Sequence, residues 1–189
     1  MAGDRRSAIC RRELLQSLSM RPLVCYIATS LDGYIAGPNG EIDWLFTDQD
    51  YGYKEFFAGV DTVVMGRKTY ELCLSFGEYP YPNIPNYVWS RTRRGRDNHA
   101  AFVSGDVAEW LDDLKRREGK AIWLVGGSAL VGEAIAQDLL DELIVSIHPV
   151  VLGDGVPLFP PGLPRRQFQF VTAQSFSSGL VQLTYRKTS

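Results

Sequence analysis

Two segments of this chain end an apolar run with glycine and continue into the start of a helical pattern. Residues 63–71 read VVMGRKTYE, and residues 122–130 read IWLVGGSAL. The first backbone N–H groups of a helix have no partner within the helix and carry partial positive charge, so they attract phosphate. Glycine allows a ligand to approach the backbone closely. Two such junctions in one small domain predict a dinucleotide site.

Composition narrows the class of protein and of partner. The chain has 189 residues, of which 45% are hydrophobic and 22% are charged, and this is enough for one buried core. A formal net charge of -2 provides no basic surface of the kind that binds nucleic acid, and no apolar run approaches the length of a membrane span. We therefore expect a small-molecule substrate, and neither nucleic acid nor a membrane as a partner.

The cysteines and histidines indicate the cellular compartment of the protein, and the N-terminal segment indicates where its domain begins. Three cysteines and two histidines without the spacing of metal ligands argue against a disulfide framework and against a metal centre, so we expect a reducing, cytoplasmic location. Residues 1–20 contain scattered arginines but no continuous hydrophobic segment. We predict that they form a disordered N-terminal extension, and that residues 21–189 form the domain.

The hydrophobic pattern of the domain predicts strands that alternate with helices. Residues 23–29 are apolar or β-branched and suit a central strand covered on both faces, and a long glycine-bearing loop follows at residues 30–49. Further strands are predicted at residues 62–65, 87–89, 101–103, 122–125 and 142–152, and helices at residues 50–58, 67–75 and 128–138. The clearest helix starts with the capping-box pair Asp106 and Glu109 and is predicted to end at Gly119.

The C-terminal region completes the predicted fold class. Residues 167–174 and 180–187 alternate apolar and polar side chains around a turn of serines and glycine, which is typical of an antiparallel hairpin. Strands that alternate with helices and end in such a hairpin predict an α/β domain with a mostly parallel sheet and an antiparallel edge.

Five motifs follow one another along this pattern. They are IATSLDGYIA at residues 27–36, MGRKTYE at 65–71, WSR at 89–91, VGGS at 125–128 and HPVVLGDG at 148–155. Together they resemble the dihydrofolate reductase fold, in the branch shared with the reductase domain of bacterial riboflavin biosynthesis. The resemblance extends over nearly everything from Arg21 onward. It implies a three-layer domain in which helices cover both faces of a mostly parallel, mixed sheet.

The resemblance also implies NADPH as the cofactor. Ala28 and Ile35 would flank the nicotinamide ring, with Asp32 in the loop that covers it. The phosphates would be held at the two helix starts, by Gly66, Arg67, Lys68, Thr69, Gly126, Gly127, Ser128, Ala129 and Leu130. Ser90 and Arg91, with Arg93 and Arg94 nearby, would surround the adenosine 2′-phosphate, because a dianion favours guanidinium and hydroxyl donors. The simpler alternatives are tight packing at Gly66 and a solvated charged loop at residues 91–96.

Substrate and proton-donor candidates lie around the long loop. Tyr26, Trp44 and Phe57 are assigned to the pocket of a flat substrate, although ordinary core packing explains such aromatic residues equally well. Dihydrofolate reductases carry a carboxylate on the helix after this loop, and Asp48 and Asp50 lie in that region. Either could donate a proton to the substrate or orient it, but an aspartate at a helix start also caps the helix. His148 is interpreted as structural.

These features predict an NADPH-dependent reductase that transfers a hydride to a small, planar, heterocyclic substrate. In riboflavin-pathway reductases a glutamate commonly precedes the glycine pair, whereas this chain has Val125, so a charge-assisted contact to a polar ring is lost. Two alternatives stay open, namely the 5-amino-6-(5-phosphoribosylamino)uracil reductase of riboflavin biosynthesis and a non-catalytic NADP(H)-binding module. Because related domains are often dimers, we expect a homodimer with residues 143–152 at its interface.

Overall fold

A computed structural model describes residues 20–188, and their apolar segments form strands and helices in the predicted order. The strands are β1 (Leu23–Thr29), β2 (Tyr34–Ala36), β3 (Val60–Gly66), β4 (Asn86–Trp89), β5 (Gly95–Arg96), β6 (Ala101–Val103), β7 (Ala121–Gly126), β8 (Glu142–Ile147), β9 (Val156–Pro157), β10 (Phe168–Ser175) and β11 (Val181–Lys187). The helices are α1 (Tyr53–Ala58), α2 (Arg67–Leu74), α3 (Val107–Lys115) and α4 (Ser128–Ala136). The expected N-terminal extension lies outside the described residues.

One large sheet organises the chain. Its nine strands follow the order β10, β11, β8, β1, β7, β3, β4, β6, β5. The six strands from β8 to β6 run parallel to their neighbours, whereas β11, β10 and β5 join in antiparallel fashion. The short strands β2 and β9 form a separate antiparallel pair. The predicted α/β class, with a mostly parallel sheet and a C-terminal hairpin, is confirmed.

Successive residues of β3 pack on opposite faces of this sheet. Val64 belongs to a core formed with α3 and α4, whereas Val63 and Met65 belong to a second core formed with α2. All three side chains are fully buried, because a central parallel strand is covered on both faces. Helices therefore lie on both sides of the sheet, which is the layering that the resemblance implies.

The strand predicted at residues 142–152 is shorter in the structure. β8 ends at Ile147, because Pro149 has no N–H group to donate and its ring restricts the residue before it. β8 is also enclosed between β11 and β1. It therefore has no free edge with which to pair with a second copy, and an interface at residues 143–152 stays a prediction.

Two helix boundaries also differ from the prediction. α1 begins at Tyr53 and not at residue 50, because Tyr51 and Gly52 have positive φ angles of 49° and 80°, outside the helical region. α3 ends at Lys115, several residues before Gly119, since the N–H group of Arg117 bonds to the carbonyl of Leu114, three residues back, and tightens the last turn. The N-cap of α3 is as predicted: the Asp106 carboxylate accepts two first-turn N–H groups.

Candidate active site

The two strand–glycine–helix junctions lie side by side at one edge of the sheet. β3 and β7 are parallel neighbours, and a Cβ atom added to Gly66 would lie 3.6 Å from the Gly127 nitrogen. Gly66 and Gly127 are the N-caps of α2 and α4, and no side chain caps either helix start. The unpaired N–H groups of both helices are therefore open at the same edge, as an anion-binding site requires.

Side chains from the first turn of α2 add to this edge. Thr69 Oγ1 lies 3.5 Å from the position that a Cβ atom of Gly127 would occupy, so its hydroxyl stands beside the second junction. Arg67 donates to Glu71 at 2.5 Å. Lys68 is exposed and forms no ion pair with residues 20–188. Lys68 therefore has no competing partner among these residues, and the exposed pair of Arg67 with Glu71 is weak enough to leave Arg67 a candidate as well.

The arginine side chains after β4 differ in whether the protein itself holds them by hydrogen bonds. Arg93 donates to Asp97 at 3.0 Å, and its guanidinium carbon lies 4.0 Å from the centre of the Phe102 ring. Arg94 donates to backbone carbonyls of its own segment at 3.3 to 3.5 Å. The Arg91 side chain is exposed and makes no hydrogen bond or ion pair with the part of the chain that the structure describes.

A cavity of about 400 Å³ opens between the end of β4 and the start of α3. It is lined by Trp89, Ser90, Arg91, Arg94, residues 104–107 and Glu133. Ser90 is buried, and its hydroxyl oxygen accepts the N–H of Arg93 at 2.9 Å, so it shapes the turn that carries the arginines. Trp89 pairs with Gly66 across β4 and β3, and the cavity therefore adjoins the first helix start. An indole wall with a free guanidinium suits a nucleotide that carries a phosphate.

The residues predicted at the nicotinamide lie at the far side of these junctions, on β1 and β2. Ala28 is on β1, and Ile35 on β2 packs partly buried against the core. Asp32 lies in the turn between these strands, where it accepts the Ser30 hydroxyl at 2.6 Å and the Gly153 N–H at 2.7 Å. Its carboxylate thereby holds the β1–β2 turn against the segment that follows β8.

Acid titration can test the structural role of Asp32. Its hydrogen bonds, above all the one from Ser30, lower the pKa of Asp32 to about 2. A carboxyl group whose pKa is lower in the folded chain adds stability that is complete above its unfolded pKa of about 3.9 and is lost as the pH falls toward the folded value. In Asp32→Asn we expect urea unfolding to show a smaller loss of stability between about pH 4 and pH 2 than in the wild type.

The control for this prediction is Asp43→Asn. Asp43 is exposed, and its side chain makes no hydrogen bond to residues 20–188. This variant should keep the acid dependence of the wild type. The same acid dependence in Asp32→Asn as in the wild type would contradict the role assigned to Asp32.

Tyr26 and Phe57 belong to one packed aromatic cluster around Trp123. Tyr26 stacks on Phe56 with ring centroids 4.5 Å apart, and the Trp123 ring meets Phe57 edge-on at 6.2 Å. Both residues are therefore packed against other aromatic rings, as in the core-packing alternative. Tyr26 also precedes Ala28 by two positions on the same face of β1, so the cluster forms an apolar wall next to Ala28.

Trp44 lies away from these rings, beside His148. The two ring centroids are 5.2 Å apart and nearly perpendicular. His148 Nε2 accepts the N–H of Phe46 at 3.2 Å, and its Nδ1 lies 3.2 Å from the carbonyl oxygen of Ser146. Burial lowers the pKa of His148, which favours the neutral ring with its proton on Nδ1. His148 thus anchors the long loop to β8, in agreement with a structural role.

The two candidate proton donors are exposed and make local contacts. Asp48 accepts the Tyr51 hydroxyl at 2.7 Å, and Asp50 accepts the N–H of Lys54 at 3.2 Å in the first turn of α1. Asp50 therefore accepts a hydrogen bond at a helix start, which is the alternative role that the sequence leaves open for it. Proton donation by either residue stays a prediction. Within residues 20–188, no group of three or more His, Cys, Asp and Glu side chains could hold a metal ion.

Known proteins are similar to this chain in sequence and in fold. The sequence model of the RibD C-terminal domain matches residues 21–182. This chain belongs to the RibD C-terminal domain family. The uncharacterized protein YyaP of Bacillus subtilis (strain 168) is 38% identical over an alignment length of 187. The alignment covers 91% of this chain and 98% of that protein.

Solved structures agree with membership of this reductase family. A putative riboflavin biosynthesis protein from Shewanella sp. PV-4 has a TM-score of 0.78 at 30% identity, over 89% of this chain and 99% of that one. The dihydrofolate reductase of Enterococcus faecalis, solved with NADP(H) and RAB-propyl, has a TM-score of 0.65 at 18% identity, over 89% and 97% of the two chains, and shares the fold. The predicted resemblance is confirmed. No helix among the described residues is long and apolar enough to cross a membrane.

One polar group of this RibD C-terminal domain was not predicted from the sequence. Gln182 on β11 pairs with Ser146 on β8. Its amide nitrogen lies 3.0 Å from the Ser146 hydroxyl oxygen, 3.1 Å from the Tyr26 hydroxyl and 3.3 Å from the Tyr51 carbonyl oxygen. The alternation within the hairpin indicates which residues share a face with Gln182. It does not indicate which strand lies beside them, because strand register depends on distant parts of the chain.

Proposed function

We propose that this chain is an NADPH-dependent reductase that transfers a hydride to a small, planar, heterocyclic substrate. The observation that carries the proposal is the cavity at the end of β4, where the Arg91 side chain forms no hydrogen bond or ion pair with the described residues. A guanidinium in this position can bind the 2′-phosphate that distinguishes NADPH from NADH.

The order of strands supports one extended cofactor site. β4, β3, β7 and β1 are consecutive neighbours in the sheet. Arg91 would hold the 2′-phosphate, the junctions at Gly66 and Gly127 the pyrophosphate, and Ala28 with Ile35 the nicotinamide. The residues at the glycine junctions fit this role, since both helix starts are free of side-chain caps and a Cβ atom at Gly127 would meet Thr69.

The protein itself contributes to the reaction by aligning the substrate with the cofactor and by excluding water. When bound, NADPH supplies the hydride. The aromatic cluster around Trp123 makes the wall beside Ala28 apolar, and a rigid wall aligns a flat acceptor. Asp48 or Asp50 would deliver the proton that accompanies the hydride, and both remain accessible to solvent.

Titration of the protein with NADPH tests the proposal. Trp89 lines the cavity, so binding should quench tryptophan fluorescence, and it should raise the melting temperature because the ligand binds the folded state alone. Millimolar NADPH that changes neither signal would refute the cofactor assignment. NADPH binding without oxidation across carbonyls, imines and pterins would favour the non-catalytic module over the reductase.

The riboflavin-pathway reductase is a second candidate. The similarity to a putative riboflavin biosynthesis protein of Shewanella favours it, whereas Val125 in place of the usual glutamate opposes it. Expression in a riboflavin auxotroph that lacks the reductase separates the two proposals. Restored growth would establish the riboflavin step, and well-expressed protein without growth would exclude it.

We also propose a homodimer formed through β10. β10 is an edge strand of the sheet, and seven of its eight residues are exposed. Its sequence, FQFVTAQS, contains neither charge nor proline, which are the features that keep free edge strands from pairing. Two copies of an uncharged strand can pair about a twofold axis without like-charge repulsion. Phe170 and Val171, which are 57% and 43% exposed, would become covered.

A charge on β10 should dissociate this dimer. We expect Phe170→Lys to weaken self-association by at least about tenfold, because two like charges would face an apolar interface. Light scattering over a dilution series measures the effect. Phe76→Lys is the matched control, since Phe76 is 51% exposed but lies after α2. A monomeric wild type at high concentration would contradict the proposal.

The cysteines support a cytoplasmic location, which we propose for this protein. Cys25 and Cys73 are free and buried, and burial raises the pKa of Cys25 to about 12. Domains from oxidising compartments commonly pair their cysteines, whereas Cys25 and Cys73 form no disulfide among the described residues. Cell fractionation with an antibody to the protein would test the assignment.

A further inference from the structure

Three polar side chains lie beside Ala28 on one face of the sheet. Ala28 pairs with Ser146 across β1 and β8, and Ser146 pairs with Gln182 across β8 and β11. Tyr26 precedes Ala28 by two residues and faces the same side. Neighbouring strands are about 4.8 Å apart, so Gln182 lies roughly 10 Å from Ala28. A ligand of one or two rings spans that distance.

The hydrogen bonds within this group fix the orientation of the Gln182 amide. Its nitrogen donates to the Tyr26 hydroxyl, the Ser146 hydroxyl and the Tyr51 carbonyl oxygen, at 3.0 to 3.3 Å. The Tyr26 hydroxyl in turn donates to Tyr51 at 3.1 Å. Burial raises the pKa of Tyr26, and the opposing hydrogen bonds from Gln182 and Ser146 are weaker effects. The group is therefore uncharged at neutral pH.

The amide oxygen of Gln182 has a different environment from its nitrogen. No residue of the chain between 20 and 188 donates a hydrogen bond to it, and it is not among the buried atoms that lack a partner. Since the nitrogen is fixed, the oxygen is held in one direction as an acceptor that has no donor among the described residues and is not fully buried. An acceptor with this fixed direction can discriminate between ligands, because an analogue without the matching donor leaves it unpaired.

The nearest charge contributes through space and not through a hydrogen bond, since the carboxylate of Asp50 helps to raise the pKa of Tyr26. No carboxylate among the described residues forms a hydrogen bond with Tyr26, Ser146 or Gln182. Val125, at the strand end before the glycine pair, packs against the aromatic cluster. A cationic ring that contacts these three side chains would lose hydration there without gaining a direct ion pair from them.

We propose that Gln182 is a specificity-determining residue, and that the substrate presents an uncharged edge with an N–H or O–H donor to its amide oxygen. The inference rests on the proposed reductase function, since that function places the substrate next to Ala28. Gln182 acts in recognition, and the hydride and the proton come from elsewhere in the site.

A pair of matched ligands tests this inference on the NADP⁺-saturated protein. The first probe is 2-quinolone, a neutral lactam with N–H next to a carbonyl. The second is 2-aminoquinoline, at a pH at which its ring nitrogen is protonated. Tryptophan fluorescence reports binding of either probe. The wild type should bind the lactam at least about tenfold more tightly, and Gln182→Glu should reverse the preference because it supplies a counter-ion.

Removal of the amide provides the second measurement. Gln182→Met should weaken lactam binding roughly tenfold while the dissociation constant for NADPH stays within about twofold. Gln167→Met is the control: Gln167 precedes β10, is exposed, and makes no side-chain hydrogen bond with the described residues. Melting temperatures of both variants verify folding.

The outcomes separate this inference from the cofactor assignment. If the wild type binds NADPH but not the lactam, or if Gln182→Met binds the lactam as tightly as the wild type, Gln182 does not select the substrate. If the wild type fails to bind NADPH, the cofactor assignment itself is wrong.

Discussion

Replacement of Arg91 by glutamate is expected to weaken NADPH binding by about a hundredfold and to change NADH binding by less than about threefold. Arg91 lines the cavity after β4, and its guanidinium has no other partner among the described residues. The substitution would remove the proposed charge-assisted contact to the 2′-phosphate and place a like charge beside it, whereas NADH has only a hydroxyl there. Parallel fluorescence titrations with the two nucleotides measure the difference.

Arg96→Glu is the matched control for this experiment. Arg96 lies on β5, is exposed and does not line the cavity, so the same change of charge acts only at long range. At physiological salt such an effect is largely screened. Equal losses for NADPH and NADH in Arg91→Glu would show that Arg91 does not bind the 2′-phosphate, and would return residues 91–96 to the solvated loop of the simpler interpretation.

Gly155→Ala is expected to destabilise the protein by about 4 kcal/mol. Gly155 has a φ angle of +149°, where an alanine is strained, and a Cβ atom there would overlap the carbonyl oxygen of Ala36. β9 begins at the next residue and pairs with β2, so the overlap would push the two strands apart. Because Ile35 lies on β2, NADPH affinity should fall together with the free energy of unfolding. Urea denaturation and the fluorescence titration measure the two effects.

Gly153→Ala separates backbone strain from the loss of this contact. Gly153 has a φ angle of +78°, but a Cβ atom there would meet nothing within 4 Å. Its substitution should cost only the strain of the left-handed region, about 1 kcal/mol, and should leave NADPH affinity unchanged. If both alanine variants lost the same stability, the close approach of Gly155 to Ala36 would not matter to the fold.

Features with a local physical cause could be predicted from the sequence. The N-cap at Asp106 follows from the need of the first helical N–H groups for an acceptor, and the terminal hairpin follows from the alternation of its side chains. The glycine junctions also follow from local chemistry. The early end of β8 has a local cause as well, Pro149, but the apolar residues after it suggest a longer strand than the chain forms.

Features that depend on distant partners could not be predicted. The sequence presents Arg91, Arg93 and Arg94 as equivalent cations, and only the positions of Asp97 and Phe102 show that Arg93 is committed to structure. The contacts of the Gln182 amide could not be predicted either, because its neighbours come from β1, β8 and the loop before α1. The sequence contains these residues but not the register that brings them together.

The position of β1 in the middle of the sheet has a consequence for synthesis of the protein. β1 forms its ladders only with β7 and β8, whose residues follow about a hundred positions later. At translation rates of about 5 to 20 residues per second, β1 waits roughly 5 to 20 s for its first partner. During that time an almost wholly apolar segment, LVCYIAT, has neither of its edges paired. The strand that later carries Ala28 is therefore exposed to aggregation while the rest of the sheet is being synthesised.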